Sequence, residues 1–158
     1  MLYETAADAV FFDPLAPAGE AGFWDWADER CDGRRVTVLE TIAFHRRGRE
    51  EFAARYGAAA VPPAGVVAHP FPVAQETVYW VPEHRALIPG DTLIERDGEL
   101  SLCPPSWLEY LEASPTQATL AQALQELLAL DVELVLVSHG EPTTAGAREA
   151  LARALEAA

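Results

Sequence analysis

Ser138-His139-Gly140 closes an apolar run, Val132 to Val137, and sets an imidazole at the C-terminal end of a strand. That is the edge where α/β folds place their sites. Hydrogen bonds capping the turn would be a purely structural use of the same residue. Asp91 follows Pro89-Gly90 after a second apolar stretch, Ala86-Leu87-Ile88, and reads either as a site carboxylate or as the cap of the next turn. Imidazoles and carboxylates are side chains that ligate metal ions. Three other histidines are present: His45 beyond a β-branched run, His69 in Ala68-His69-Pro70, and His84 between Glu83 and Arg85. The last is expected in a solvated turn. Cys31 and Cys103 are far apart and in no paired motif, so they form neither a disulfide framework nor a zinc knuckle. Reduced, partly buried thiols are expected.

The elements that must position these groups alternate in type. Ala9-Val10-Phe11-Phe12 is a short strand stopped by Asp13-Pro14, and Gly22 to Arg30 suits an amphipathic helix. Val36-Thr37-Val38-Leu39 reads as a buried strand, and Arg49 to Tyr56 as a helix with Gly57 as its stop. Two strand–helix units in succession predict an α/β layer with parallel pairing. Next, Val66-Val67-Ala68 suggests a short strand. Thr77 to Val81 and Ala86 to Ile88, around Pro82-Glu83-His84-Arg85, predict a β-hairpin. Ser114-Pro115-Thr116-Gln117 has the form of a helix start, with Ser114 as cap and Pro115 in the first turn. Leu120, Leu124, Leu127 and Leu128 would be its apolar stripe. Val132 to Val137 predicts a continuous strand, and Gly146 to Ala157 a closing helix. Phe11, Phe12, Trp24, Trp26, Tyr79 and Trp80 are expected to pack in the core or between layers. No internal repeat or long linker divides the chain, so one domain over residues 1–158 is expected.

The bulk numbers exclude several functions. Half of the 158 residues are hydrophobic, enough for one core. The formal net charge is −14, and the 11 basic residues are all arginine, a composition suggesting a GC-rich, bacterial coding genome. A field of that sign repels phosphate backbones and anionic lipid, so neither nucleic acid nor membrane is an expected partner. The start MLYETAADAVFF lacks the pattern of a secretory signal, and a cytoplasmic protein is expected.

Three segments, in order, resemble the metallo-β-lactamase fold superfamily. They are the strand ending in Asp13-Pro14, the hairpin from Glu76 to Pro89-Gly90-Asp91, and Val135-Leu136-Val137-Ser138-His139-Gly140. The resemblance implies an α/β protein (α+β in some schemes), a four-layer αββα sandwich shortened at its N-terminus. Members are usually hydrolases whose zinc or iron activates water against an ester, amide, thioester or phosphodiester. Asp91 would match the aspartate that bridges two metals, and His139 the last histidine ligand.

The family's His-x-His-x-Asp-His motif should begin just after Thr41. Ile42 and Phe44 stand in its two histidine places, and Arg46 and Arg47 replace the aspartate and final histidine. None of these side chains can donate a lone pair to a metal. His45 is out of register by one residue. What the resemblance leaves is a vestigial metal set of Asp91, His139 and His45, with Arg46, Arg47, His69 and Glu141 as pocket residues. Glu141 would offer an oxygen ligand or lead the next helix near Thr143 and Thr144. A guanidinium of Arg46 or Arg47 would stand in for the ion by pairing with Asp91, or the pair would simply be solvated.

A catalytic zinc usually takes three protein ligands plus water. The leading expectation is therefore a non-catalytic member without a resident cofactor, binding a small molecule or a partner chain. The alternative is a mononuclear zinc or iron hydrolase using Asp91, His139 and one of His45, His69 or Glu141. A homodimer would cover any apolar face that the shortened sandwich leaves open.

Overall fold

The structure, a computed structural model, describes residues 1–157 apart from the side chains of Ala21 and Arg47. It divides into two compact units, Met1–Ala64 and Gly65–Ala158.

In the first unit, β2 (Asp8–Phe12) and β3 (Arg35–Leu39) pair in parallel, with Val10 opposite Thr37. Helix α1 (Ala21–Cys31) forms the crossover that a parallel pair requires. The opening hairpin is reduced rather than absent: β1 (Leu2–Glu4) lies antiparallel on the other edge of β2. As the central strand, β2 is buried at all five residues. Helix α2 (Arg49–Tyr56) ends at Gly57, as the sequence predicts.

Phe52 of α2 is 0% exposed, and its ring centroid lies 4.8 Å from that of Phe11. Trp24 packs on the same ring at 5.1 Å, whereas Trp26 stays 40% exposed beside Phe23. Truncating Phe52 to alanine would leave a cavity among rings that cannot collapse into it. The expected cost is about 3–5 kcal/mol in urea denaturation. A loss below about 1 kcal/mol would remove Phe52 from the centre of this core.

In the second unit, β4 (Val67–Phe71), β5 (Glu76–Val81), β6 (Ala86–Ile88) and β9 (Leu134–Val135) form one sheet in that order. The expected hairpin is β5–β6, closed by a 3-10 turn over Pro82–His84 that leaves His84 exposed. Tyr79 and Trp80 are buried. Strand β4 can contain Pro70 because it is an edge strand, where a missing N–H costs no ladder bond.

Two expectations are corrected here. The strand expected over Val132–Val137 shrinks to Leu134–Val135, because its one sheet neighbour is the short β6 and Val135 bridges Thr143 on the other side. The helix expected to start at Ser114 starts later, as α4 (Gln117–Leu124). The Ser114 hydroxyl donates to the Leu111 carbonyl at 3.2 Å, so Thr116 becomes the cap, accepting the Thr119 N–H at 3.1 Å. Leu120, Leu124 and Leu127 are buried as expected.

A second hairpin, β7 (Leu93–Arg96) with β8 (Glu99–Leu102), turns at Asp97-Gly98, both at positive φ. Short α3 (Pro105–Leu108) follows, with proline in its first turn. Helix α5 (Ala147–Glu156) buries Ala147, Ala150, Leu151, Ala154 and Leu155 on one face, against β8 and the Gln125–Ala129 turn. Among the described residues, no helix is long and apolar enough to cross a membrane.

Candidate functional site

The two strand-end residues singled out by the sequence meet in the second unit. His139 Nε2 lies 3.2 Å from Asp91 Oδ1. The imidazole is about half exposed and the carboxylate mostly covered, with side-chain exposures of 49% and 21%. Trp107 of α3 stands edge-on to the imidazole, with centroids 5.1 Å apart. The indole thus flanks a half-exposed imidazole.

Each partner's backbone is held by a glutamate from elsewhere in the unit. Glu76, the first residue of β5, receives the Asp91 and Thr92 N–H groups on Oε2, both at 2.9 Å. Its Oε1 takes the Gly90 N–H at 2.9 Å and the Thr92 hydroxyl at 2.6 Å. Burial pushes its carboxyl pKa up, against the downward pull of these donors. Glu95 of β7 holds the other side. Its N–H donates to the His139 carbonyl at 3.0 Å, and its Oε2 accepts the Glu141 N–H at 2.8 Å. The Glu141 N–H, and then that of Gly98, keeps the Glu95 carboxyl below the usual carboxylate range.

The first unit holds His45 in its own dyad. His45 lies on the 3-10 turn Ala43–Gly48, and its Nδ1 is 2.9 Å from Asp13 Oδ2. Asp13 also accepts the Thr41 N–H at 2.8 Å and the Thr41 hydroxyl at 2.5 Å. Asp13 turns at φ +46, a left-handed conformation that aspartate tolerates better than most residues. A carboxylate on one ring nitrogen is how proteins orient a histidine whose other nitrogen serves as a ligand.

The remaining candidates have contacts of their own. His69 on β4 has Nδ1 3.7 Å from Glu126 Oε1, and its buried Nε2 meets no hydrogen-bond partner among the described residues. Glu141 uses its backbone N–H on Glu95 and leaves its side chain exposed. Arg46 Nε lies 3.4 Å from Glu40 Oε2, a carboxylate that also takes Arg49 at 3.1 Å. The side chain of Arg47 lies outside the described residues. Of the departed motif positions, Ile42 is buried and Phe44 is 55% exposed. Both cysteines are free and buried, and burial pushes the Cys103 thiol to about 11, too high for a ready thiolate.

Sequence reasoning missed Glu76, Glu95 and the role of Asp13. An acidic residue opening a strand carries no local signal. For Glu95, a hint was available: Asp-Gly flanked by Leu93-Ile94 and Leu100-Ser101-Leu102 marks a tight hairpin.

As donors, one imidazole nitrogen and one carboxylate oxygen at a strand edge suit zinc or iron. Together they supply two ligand atoms to such an ion.

No protein-family model matches this chain, and no curated protein matches it. Solved structures do. TMB-1 is 11% identical with a TM-score of 0.64, over 99% of this chain and 84% of that one. The B3 metallo-beta-lactamase BLEG-1 is 14% identical, with a TM-score of 0.63, over 90% of this chain and 87% of that one. ETHE1 from Myxococcus xanthus is 19% identical, with a TM-score of 0.61, over 98% of this chain and 83% of that one. These likenesses run through nearly the whole sequence, and the chain has the metallo-β-lactamase fold.

Proposed function

We propose that this chain is a mononuclear metal-dependent hydrolase that uses Asp91 and His139 as two of the ion's ligands. The observation that carries this reading is their 3.2 Å approach, with the Asp91 N–H on the Glu76 carboxylate and the His139 carbonyl on the Glu95 N–H. When bound, a zinc or iron ion supplies Lewis acidity, polarising a carbonyl or phosphoryl group and lowering the pKa of a water. The residues themselves bind and orient. Asp91 contributes the negative charge that a cation needs, Trp107 limits how the imidazole can turn, and Glu95 fixes the height of the His139 turn. Substrates would be esters, thioesters or small phosphodiesters. The charge of −14 disfavours polyanions. Two free, buried thiols suit a reducing compartment, and we place the protein in the cytoplasm.

Within the second unit the third ligand would come from His69 or Glu141, and single alanine replacements choose between them.

A second reading has its own observation in favour. Ile42, Phe44 and Arg46 stand where the family motif supplies donors, which fits a metal-free scaffold that binds a small molecule or a second copy of itself. Metal analysis of untagged protein separates the two. Stoichiometric zinc or iron is expected, with His139→Ala weakening it about 100-fold or more, since losing even an outer-shell partner costs about 10–100-fold. Folded wild-type protein that takes up neither metal would leave only the scaffold.

A further inference from the structure

Glu76 is an expensive residue for its place. It is 3% exposed, and its hydrogen-bond partners among the described residues are three backbone amides and one hydroxyl, with no cation. Burying a carboxylate without a counter-charge is costly unless hydrogen bonds satisfy its oxygens. What the carboxylate does instead is collect donors. An ionised carboxylate has about four acceptor sites, and four donors occupy them here.

The topology explains why those donors are within reach. Strands β5 and β6 are antiparallel, with Tyr79 opposite Ile88, so the chain leaving β6 returns beside the start of β5. Gly90, Asp91 and Thr92 therefore pass Glu76 with three consecutive N–H groups turned toward it. Such a run of amides makes a concave anion site, and Glu76 fills it from within the chain.

We infer that Glu76 is a positioning residue that sets the Asp91 carboxylate for metal binding, an inference that rests on the metal reading above. With the amides on both sides of its peptide pinned, Asp91 keeps only its two side-chain torsions, and its Oδ1 stays at 3.2 Å from His139 Nε2. Glutamine at position 76 keeps the shape but turns one acceptor into a donor, so two of the four N–H or O–H groups lose their partner. The loop then moves to find others, and Asp91 moves with it.

The test is a zinc titration of full-length wild type, Glu76→Gln and Leu151→Ala, with amide exchange recorded on the metal-free proteins. Leu151 is fully buried on α5 and serves as a comparator for plain loss of stability. The expected result for Glu76→Gln is zinc affinity lowered at least about 10-fold. Faster exchange is expected at Gly90–Thr92, with the β5 amides of Val78 and Trp80 still protected. Leu151→Ala should lose stability and keep the wild-type zinc affinity. Zinc affinity in Glu76→Gln equal to wild type, or lowered no more than in Leu151→Ala, overturns the inference alone. Wild type that binds no zinc or iron overturns it together with the metal reading. Should Glu76→Gln not fold, Thr92→Val decides. It removes only the hydroxyl donor to Oε1 and is expected to lower zinc affinity by a smaller factor. Unchanged affinity there overturns the inference.

Discussion

Gly48→Ala should lower the melting temperature by roughly 6–12 °C, the shift that about 3 kcal/mol produces in a chain of this size. The backbone at Gly48, φ −98 and ψ −10, is open to any residue, so the cost is steric. A Cβ there would stand 1.9 Å from the carbonyl oxygen of Pro14 and 2.7 Å from its carbonyl carbon. Both are backbone atoms and cannot swing aside like the end of a side chain. Pro14 follows Asp13, which holds Thr41 and His45, so relieving the overlap also pulls on that dyad. Gly22→Ala is the control. Its Cβ would meet nothing within 4 Å, and alanine within helix α1 should be neutral or stabilising by about 0.5–1 kcal/mol. Equal melting of Gly48→Ala and wild type would mean that the close approach to Pro14 is not present in solution.

The second large effect is expected at Gly140, and there it bears on function as well as stability. Its φ of +97 is a conformation that L side chains rarely adopt. A Cβ would lie 2.5 Å from the Glu95 carbonyl oxygen and 2.5 Å from Glu95 Oε2. Backbone strain and overpacking together should cost about 2–4 kcal/mol. The turn cannot be relieved without shifting its neighbours. The Glu95 N–H donates to the His139 carbonyl, and the Glu95 carboxylate accepts from Glu141, so His139 moves with the strain. On the metal reading proposed above, Gly140→Ala is therefore expected to lose bound zinc or iron at temperatures where it is still folded. Calorimetry together with metal analysis of the same sample measures both effects. Retained metal at wild-type affinity would show that the His139 turn tolerates displacement, and would weaken the case that Glu95 holds it.

Much of this molecule is visible in local sequence. The β5–β6 hairpin is announced by two β-branched and aromatic runs around a four-residue polar connection. Helix α2 carries its own stop in Gly57, and helix α5 its own apolar stripe. Asp91 and His139 could be singled out because each follows a strand at its C-terminal end, and they do come together. The later start of α4 was harder to see, because Ser114 and Thr116 are both good caps. What decides between them is that the Ser114 hydroxyl is already used on Leu111.

The supporting carboxylates are another matter. Glu76 meets residues 14 to 16 positions away, and Asp13 meets Thr41 and His45 at separations of 28 and 32. Hydrophobic periodicity and turn chemistry act over a few residues, so they set which strands and helices form and where strand-end side chains fall. Which acceptor a buried loop amide finds depends on chain return and burial. A carboxylate in water has no reason to prefer one amide over another until the sheet closes and removes the solvent. Only the folded chain, through that exclusion of water, turned an unremarked glutamate at the start of a strand into the clamp on Asp91.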